Sequence, residues 1–309
     1  MTGKSPENSA GLAAAAAAYL LWGGLPLYLK ALHFVPSPQI MMHRIVWSFV
    51  ILLPTLLLPS IRTELALLLR QRRRALMAAA TALCLAVNWL VFIWAVANAH
   101  ALEAGLGYFV CPLFNVVLGA AVLRERLKPL QMAAIVVVAF GVAWLTFASG
   151  RLPWIALTLA LTFGLYGLGK KTLMLSAPAG LFVDTLLLMP AVLIFWSVEI
   201  AQGVDAFALG SAGQKLAMMA AGPLTSIPLL LYATAANRLK LATLGLLQYL
   251  NPTCQVVLAV FVFGEPFTSA HAVSFGAIWL GLLLYFLPGL KVAPAALRRR
   301  RGRSDSAGN

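Results

Sequence analysis

Arg44 lies inside "MMHRIVWSFVILLP" and Asp184 inside "GLFVDTLLLMP", and both runs are long and apolar enough to enter a lipid bilayer. An ionisable side chain held there costs about 2.5–3.5 kcal/mol on insertion scales, so one that is present generally faces the bundle interior and marks a solute or ion path. Arg44 stands six residues beyond Pro38, about 9 Å along a helix, and is flanked by His43 and Trp47. A guanidinium can hold a carboxylate or phosphate through two parallel hydrogen bonds. The competing reading is a side chain that snorkels to the surface or forms a structural pair. Asp184 is the best single carboxylate for proton coupling and also a candidate neutraliser of Arg44 or Lys30, with Glu103 second. Glu103 heads an apolar segment and reads more readily as charge complementing a helix N-terminus.

Lys30 closes "WGGLPLYLK". Pro26 removes a backbone donor there, and Gly23-Gly24 loosens the turn before it. The expectation is a broken helix that exposes carbonyls beside a cavity. Further polar and aromatic candidates are Asn88 and Trp94 in one segment, Tyr108 and Asn115 in the next, Tyr166 after that, and Gln248, Tyr249, Asn251 and Gln255 in a late one. Taken singly, each amide is more readily a helix-helix bond than a solute contact. As a set they are the best guess at a cavity wall. Glu125, Glu265, His100 and His271 sit near segment ends, where ion pairs, capping or the interface explain them better.

No enzymatic signature accompanies these residues: the sequence has no H-E-x-x-H, no G-x-S-x-G and no P-loop. Cys84, Cys111 and Cys254 have neither disulfide-framework nor zinc spacing, so no catalytic set, metal or cofactor is expected.

What positions the candidates is a set of apolar helices. Of 309 residues, 61% are hydrophobic and only 10% charged, against about 25% charged in a soluble domain. A helix of about 20 apolar residues spans the hydrocarbon layer. Ten segments qualify, at 10–31, 38–59, 75–97, 101–123, 128–148, 152–170, 178–201, 213–236, 241–263 and 270–289. Their backbone groups must bond internally, so the fold class is an all-α integral membrane protein with ten transmembrane helices. The apolar run near the N-terminus continues past any plausible cleavage point and reads as a retained first helix. Loops of alternate parity differ sharply in charge. Only Lys30, Arg151 and Lys215 lie on one side, and every other Lys and Arg except the intrahelical Arg44 lies with the termini, which makes the termini cytoplasmic. The net charge of +14 therefore speaks for orientation and anionic lipid head groups rather than nucleic acid.

The chain also repeats itself. "PLFNVVLGAAVLRE" from Pro112 and "PTCQVVLAVFVFGE" from Pro252 agree without a gap at Pro, Val, Val, Leu, Val and Glu. At the offset that carries Pro112 onto Pro252, Gly24-Leu25 meets Gly164-Leu165, Lys30 meets Lys170, Gly105-Leu106 meets Gly245-Leu246, Gly141 meets Gly281 and Asn115 meets Gln255. Five helices per copy is an odd number, so the second copy enters from the opposite side. The expected organisation is two inverted five-helix repeats, 10–148 and 150–289, then a basic cytoplasmic tail, 290–309. Inverted repeats permit alternating access.

"YLLWGGLPLYLKAL", "MMHRIVWS", "NWLVFIWAVANAHALEAGLGYFVCPLFNVVLG", "RERL" and "QYLNPTCQ…FGEPF" resemble the RarD family of EamA-type transporters, within the drug/metabolite transporter superfamily, over nearly the whole chain. The resemblance implies two EamA-like repeats, a bacterial inner (plasma) membrane and export of a small metabolite or drug-like solute. The family's name reflects chloramphenicol sensitivity, a phenotype that does not define a substrate. Where relatives usually read LRKK, this chain has "GLGKK", so no arginine role carries over at that place. The functional expectation is a secondary transporter, with proton exchange as the candidate drive and an amino-acid-like carboxylate as the candidate solute. No nucleic acid partner is expected, and a monomer is compatible with the sequence. The alternatives are an intramembrane lipid-modifying enzyme, which would need convergent acid/base or metal-binding residues at one depth, and a channel.

Overall fold

The computed structural model describes residues 9–123, 129–239, 243 and 247–284, and among these no strand occurs. Ten helices organise the description: α1 (Ser9–Ala31), α2 (Ser37–Leu52), α4 (Arg72–Ala97), α5 (Ala101–Leu123), α6 (Pro129–Ser149), α7 (Trp154–Leu173), α8 (Ala177–Ala201), α11 (Ala221–Arg238), α12 (Leu250–Val257) and α13 (Ser269–Leu284). Three further helices lie between them, α3 (Pro59–Leu69), α9 (Ala206–Leu209) and α10 (Ala212–Met219). By length and composition, six stretches of described helix can cross a membrane: Ser9–Ala31, Ser37–Leu57, Arg72–Ala97, Pro129–Ser149, Ala177–Ala201 and Ala212–Ala235. Leu250–Val262 and Ser269–Leu284 are shorter apolar helices. Tyr285, Glu125, Lys240, Gly245-Leu246 and the tail lie outside the described residues, as does the side chain of Asn115.

Several elements depart from the sequence expectation. The second segment ends early: α2 passes into a 3-10 turn, Leu53–Leu57, and α3 follows as a separate helix. Pro54 and Pro59 explain the break, since each lacks the amide that would continue the ladder. By contrast α1 runs unbroken through Pro26. A single missing hydrogen bond does not end a helix packed along its length, and α1 packs against both α11 and α12. Gly23 serves that packing rather than loosening a turn, because a Cβ there would stand 2.6 Å from Cys254 Cβ. The eighth segment is jointed at Ala220, with Pro223 in the first turn of α11. After α12 the chain widens into a π turn, Leu258–Val262, and Gly264 takes a φ of +70° that a side chain would resist.

The contacts divide the chain into two units, Met1–Cys111 with Trp154–Pro266 and Pro112–Pro153 with Phe267–Asn309, each drawing on both halves of the chain. In the first, α1 packs on α11 and α12, α4 packs on α7 and α8, and α2 sits among α4, α8 and α11. Its core holds Met42, Ile45, Leu85, Trp89, Leu181 and Phe182. In the second unit α6 and α13 meet through small residues. A Cβ at Gly141 would lie 2.9 Å from Ala277 Cβ, and one at Gly281 would lie 2.6 Å from Val138 Cγ2 and 3.0 Å from the Ala134 carbonyl. Large apolar side chains such as Leu57, Phe147, Ile194 and Phe261 point outward, as suits a protein whose solvent is lipid.

Helix starts recur along the chain. Ser37 and Ala177, Arg72 and Ala212, and Pro129 and Ser269 each begin helices, and each pair keeps the offset that relates Pro112 to Pro252.

Candidate functional site

The centre of the first unit is α2, which is buried on nearly every side. Arg44 is 4% exposed. Its Nε donates to Thr225 Oγ1 at 3.2 Å, and that hydroxyl in turn donates to the Ala221 carbonyl at 2.8 Å. The guanidinium carbon lies 4.3 Å from the Trp89 ring centroid, a cation–π contact worth about 2 kcal/mol when desolvated. Nη1 is buried and has no hydrogen-bond partner. Tyr28 and Tyr108 are its electrostatic neighbours. Both hydroxyls donate elsewhere, Tyr28 to the Ala217 carbonyl at 2.9 Å and Tyr108 to Asn88 Oδ1 at 3.0 Å. The sequence placed Arg44 in the bundle. It did not indicate Thr225 or Tyr28, although the paired hydroxyls of "LTSIP" in an apolar segment were an available signal.

No carboxylate stands within ion-pair reach of Arg44 among the described residues, and each described carboxylate is engaged elsewhere. Glu64 accepts from Ser176 N at 2.8 Å, Glu103 from Ile155 N at 3.1 Å, and Asp205 caps α9 through Phe207 N and Ala208 N. Glu199 accepts from Gln39 Nε2. Glu265 accepts from Ala101 N and Leu102 N, both at 2.8 Å. The π turn and Gly264 swing Glu265 into line with those first amides of α5, which have no partner within their own helix. Helix capping thus accounts for Glu103 and Glu265, although Glu103 caps a neighbour rather than its own helix.

Asp184 is fully buried and already paired. Lys170 Nζ lies 2.8 Å from its Oδ1 and also donates to the Gly180 carbonyl at 2.8 Å, while the Tyr166 hydroxyl donates to Oδ2 at 3.0 Å. Lys170, which the loop charges suggested as a topological signal, is therefore an interior partner. Asp184 neutralises neither Arg44 nor Lys30. Lys30 instead lies over the Phe263 ring, 5.4 Å from its centroid.

His43 and Trp47, one turn apart on α2, face a different neighbourhood. The His43 ring is 5.8 Å from Trp196 and 5.2 Å from Phe207, and Trp47 is 6.0 Å from Phe207. Neither ring nitrogen of His43 has a partner, nor does the indole nitrogen of Trp47 or of Trp196. Nearby, Gln39 ties the 201–206 loop down, donating to Val204 O at 3.0 Å and accepting from Ala206 N at 2.9 Å.

The amides separate. Asn88 is fully used, donating to Leu159 O and Thr162 Oγ1 at 3.0 Å and accepting from Tyr108. It stitches α4 to α7. Gln255 donates to Asn251 Oδ1 at 2.9 Å and keeps an unpaired Oε1. Gln248 is half-buried, and the Tyr249 ring stacks on Phe109 at 6.2 Å. Trp94 stands apart, 37% exposed and stacked on His100. Elsewhere an apolar groove of about 270 Å³ runs between α1 and α12, lined by Leu20, Gly24, Leu27, Thr253, Cys254, Val257 and Leu258.

Spanning apolar helices, an apolar exterior and charges held inside define a multi-pass helical membrane protein. The chain belongs to the EamA-like transporter family, whose model matches residues 9–147. An "Uncharacterized transporter" of Vibrio cholerae is 39% identical, over 97% of this chain and 99% of its own. A Pseudomonas aeruginosa protein also called an uncharacterized transporter is 43% identical, over 87% and 90%. Protein RarD of Salmonella typhi is 38% identical, over 92% and 97%. A crystal structure 21% identical covers 91% of this chain and 99% of its own with a TM-score of 0.55, which supports the fold alone. The protein is thus a membrane transporter of the EamA/RarD type, not an enzyme, and its substrate is a small solute.

Proposed function

We propose that the protein is a secondary transporter working by alternating access, with Arg44 at the centre of its solute site, and that it exports a small metabolite across a bacterial inner membrane. Two five-helix EamA-like repeats in opposite orientations make the ten-span fold. Both termini are cytoplasmic, where the basic loops and tail meet anionic lipid. The observation that carries this reading is reciprocal packing between repeat counterparts. α1 packs on α11 as α7, its counterpart, packs on α4, the counterpart of α10–α11. Gly141 abuts Ser274 and, in the same manner, its counterpart Gly281 abuts Ala134, the counterpart of Ser274. Two repeats of one shape in opposite senses can exchange conformations, which opens a shared site first to one side and then to the other. Arg44 is the buried, uncompensated charge within that arrangement. The remaining candidates are Lys30, His43, Trp47, Tyr108, Asn115, Gln248, Tyr249, Asn251 and Gln255.

The test begins with untargeted metabolite efflux from cells with and without the protein, then proteoliposome flux of the solute so found. Saturation with counterflow is expected, and Arg44→Gln should abolish flux while leaving insertion intact. A conductance that does not saturate would make the protein a channel. Cysteines placed at Arg151 and at Arg73 should label from opposite sides of the membrane. Labelling from one side would remove the inverted arrangement.

A further inference from the structure

We propose that the solute is an organic monocarboxylate with an apolar body and no ammonium group, a reading that rests on Arg44 being the solute site. The Arg44 side chain is buried, held at Nε by Thr225 and covered by the Trp89 ring, so its Nη1 edge is what remains for a ligand. A guanidinium edge matches a carboxylate, which it binds through parallel, charge-assisted hydrogen bonds. The site supplies one charge. Lys170 is committed to Asp184 and the Gly180 carbonyl, and Lys30 lies over Phe263. A ligand bringing two negative charges would leave one buried without a partner, at a desolvation cost of several kcal/mol. That excludes a phosphate monoester dianion.

The same accounting excludes a zwitterion. An ammonium group buried beside Arg44 needs a negative charge to balance it. All described carboxylates are bound to backbone amides, to Gln39 or to Lys170. One face of Trp89 is taken by Arg44 itself, and the Tyr28 and Tyr108 hydroxyls, which donate elsewhere, offer only neutral oxygens. The unpaired His43 ring and Gln255 Oε1 are neutral acceptors, so an amino acid bound at Arg44 would leave one buried positive charge that no described carboxylate balances. The same skeleton without the amine satisfies Arg44 and leaves only apolar surface to bury against the surrounding rings.

The experiment uses the full-length purified protein and follows its thermal unfolding midpoint with two matched series. These are 3-phenylpropanoate, phenylalanine and phenethylamine, and 4-methylpentanoate, leucine and 3-methylbutylamine. At least one of the two carboxylates should raise the midpoint, the corresponding amino acid should bind at least about tenfold more weakly, a loss of about 1.4 kcal/mol, and the amines should have no effect. Arg44→Gln should abolish the carboxylate effect. If that variant does not fold, Arg44→Lys, which keeps the charge and loses the fork, should weaken it. Equal binding of amino acid and carboxylate, stabilisation by an amine, no stabilisation by either carboxylate, or an undiminished effect in the Arg44 variants would each overturn the proposal. Binding does not depend on flux, so the two readings fail separately. Carboxylate binding without transport would sink the carrier and keep the ligand class. Saturable export of an amine that tolerates Arg44→Gln would do the reverse.

Discussion

Replacing Asp184 with Asn tests whether that carboxylate builds the fold or carries protons. Asp184 is fully buried, and Lys170 keeps 21% of its side-chain exposure. Removing one partner of a buried pair costs about 3–5 kcal/mol, chiefly because the other charge stays behind uncompensated. Partial exposure of Lys170 and its retained bond to Gly180 O put Asp184→Asn near the lower end, about 3 kcal/mol. Asn also offers one acceptor oxygen where Lys170 and Tyr166 now use two. The double variant Asp184→Leu with Lys170→Met removes both charges, and such replacements are often neutral or stabilising. The assay is a double-mutant cycle of Asp184→Leu, Lys170→Met and their combination on denaturant unfolding of the purified protein, with flux measured on each variant and on Asp184→Asn. A coupling energy of about 2 kcal/mol or more is expected, with flux largely restored in the double variant. If Asp184→Asn is as stable as wild type, the pair holds nothing together. If the double variant is stable yet transport and its pH dependence stay lost, Asp184 is the proton carrier and the structural account is wrong.

Glu265→Ala leaves two buried amides of α5 unpaired, which should cost about 2–3 kcal/mol and raise hydrogen exchange at 101–104, with Glu265→Gln losing less; exchange unchanged in both would show the cap to be dispensable. A Cβ at Gly169 would stand 2.0 Å from Thr81 Cγ2, so Gly169→Ala should lower the unfolding midpoint, with an overpacking cost of about 1–3 kcal/mol, and adding Thr81→Ala should restore most of it. Absence of rescue would refute the close approach of α4 and α7 at that point. Gln39→Ala releases the 201–206 loop from α2, and faster hydrogen exchange across 203–210 without loss of global stability is the expected readout.

The apolar segments and the burial of Arg44 were legible in residue order because they depend on local facts. A long apolar run without water must bond its backbone internally, and prolines and glycines that recur at a fixed distance mark corresponding places along the chain. Hence the helix starts at Ser37, Arg72 and Pro129 recur at Ala177, Ala212 and Ser269. The local reading failed in two ways, where packing overrides proline and where proline interrupts an apolar run. Pro26 suggested a break that α1 does not make, and Pro54 and Pro59 split a segment that looked continuous.

What only the tertiary structure decided is which polar group meets which. Arg44 and Thr225 are 181 residues apart, Glu265 and Ala101 are 164 apart, and Gly23 is a contact residue only because α12 lies against it. Lys170 and Asp184 are 14 apart, yet they belong to different helices, and their meeting depends on how α7 and α8 turn about their axes. Sequence by itself states that a buried charge must be satisfied. Helix rotation and crossing, set by side-chain interdigitation over the whole bundle, select the partner. That selection leaves Asp184 neutralised and Arg44 open.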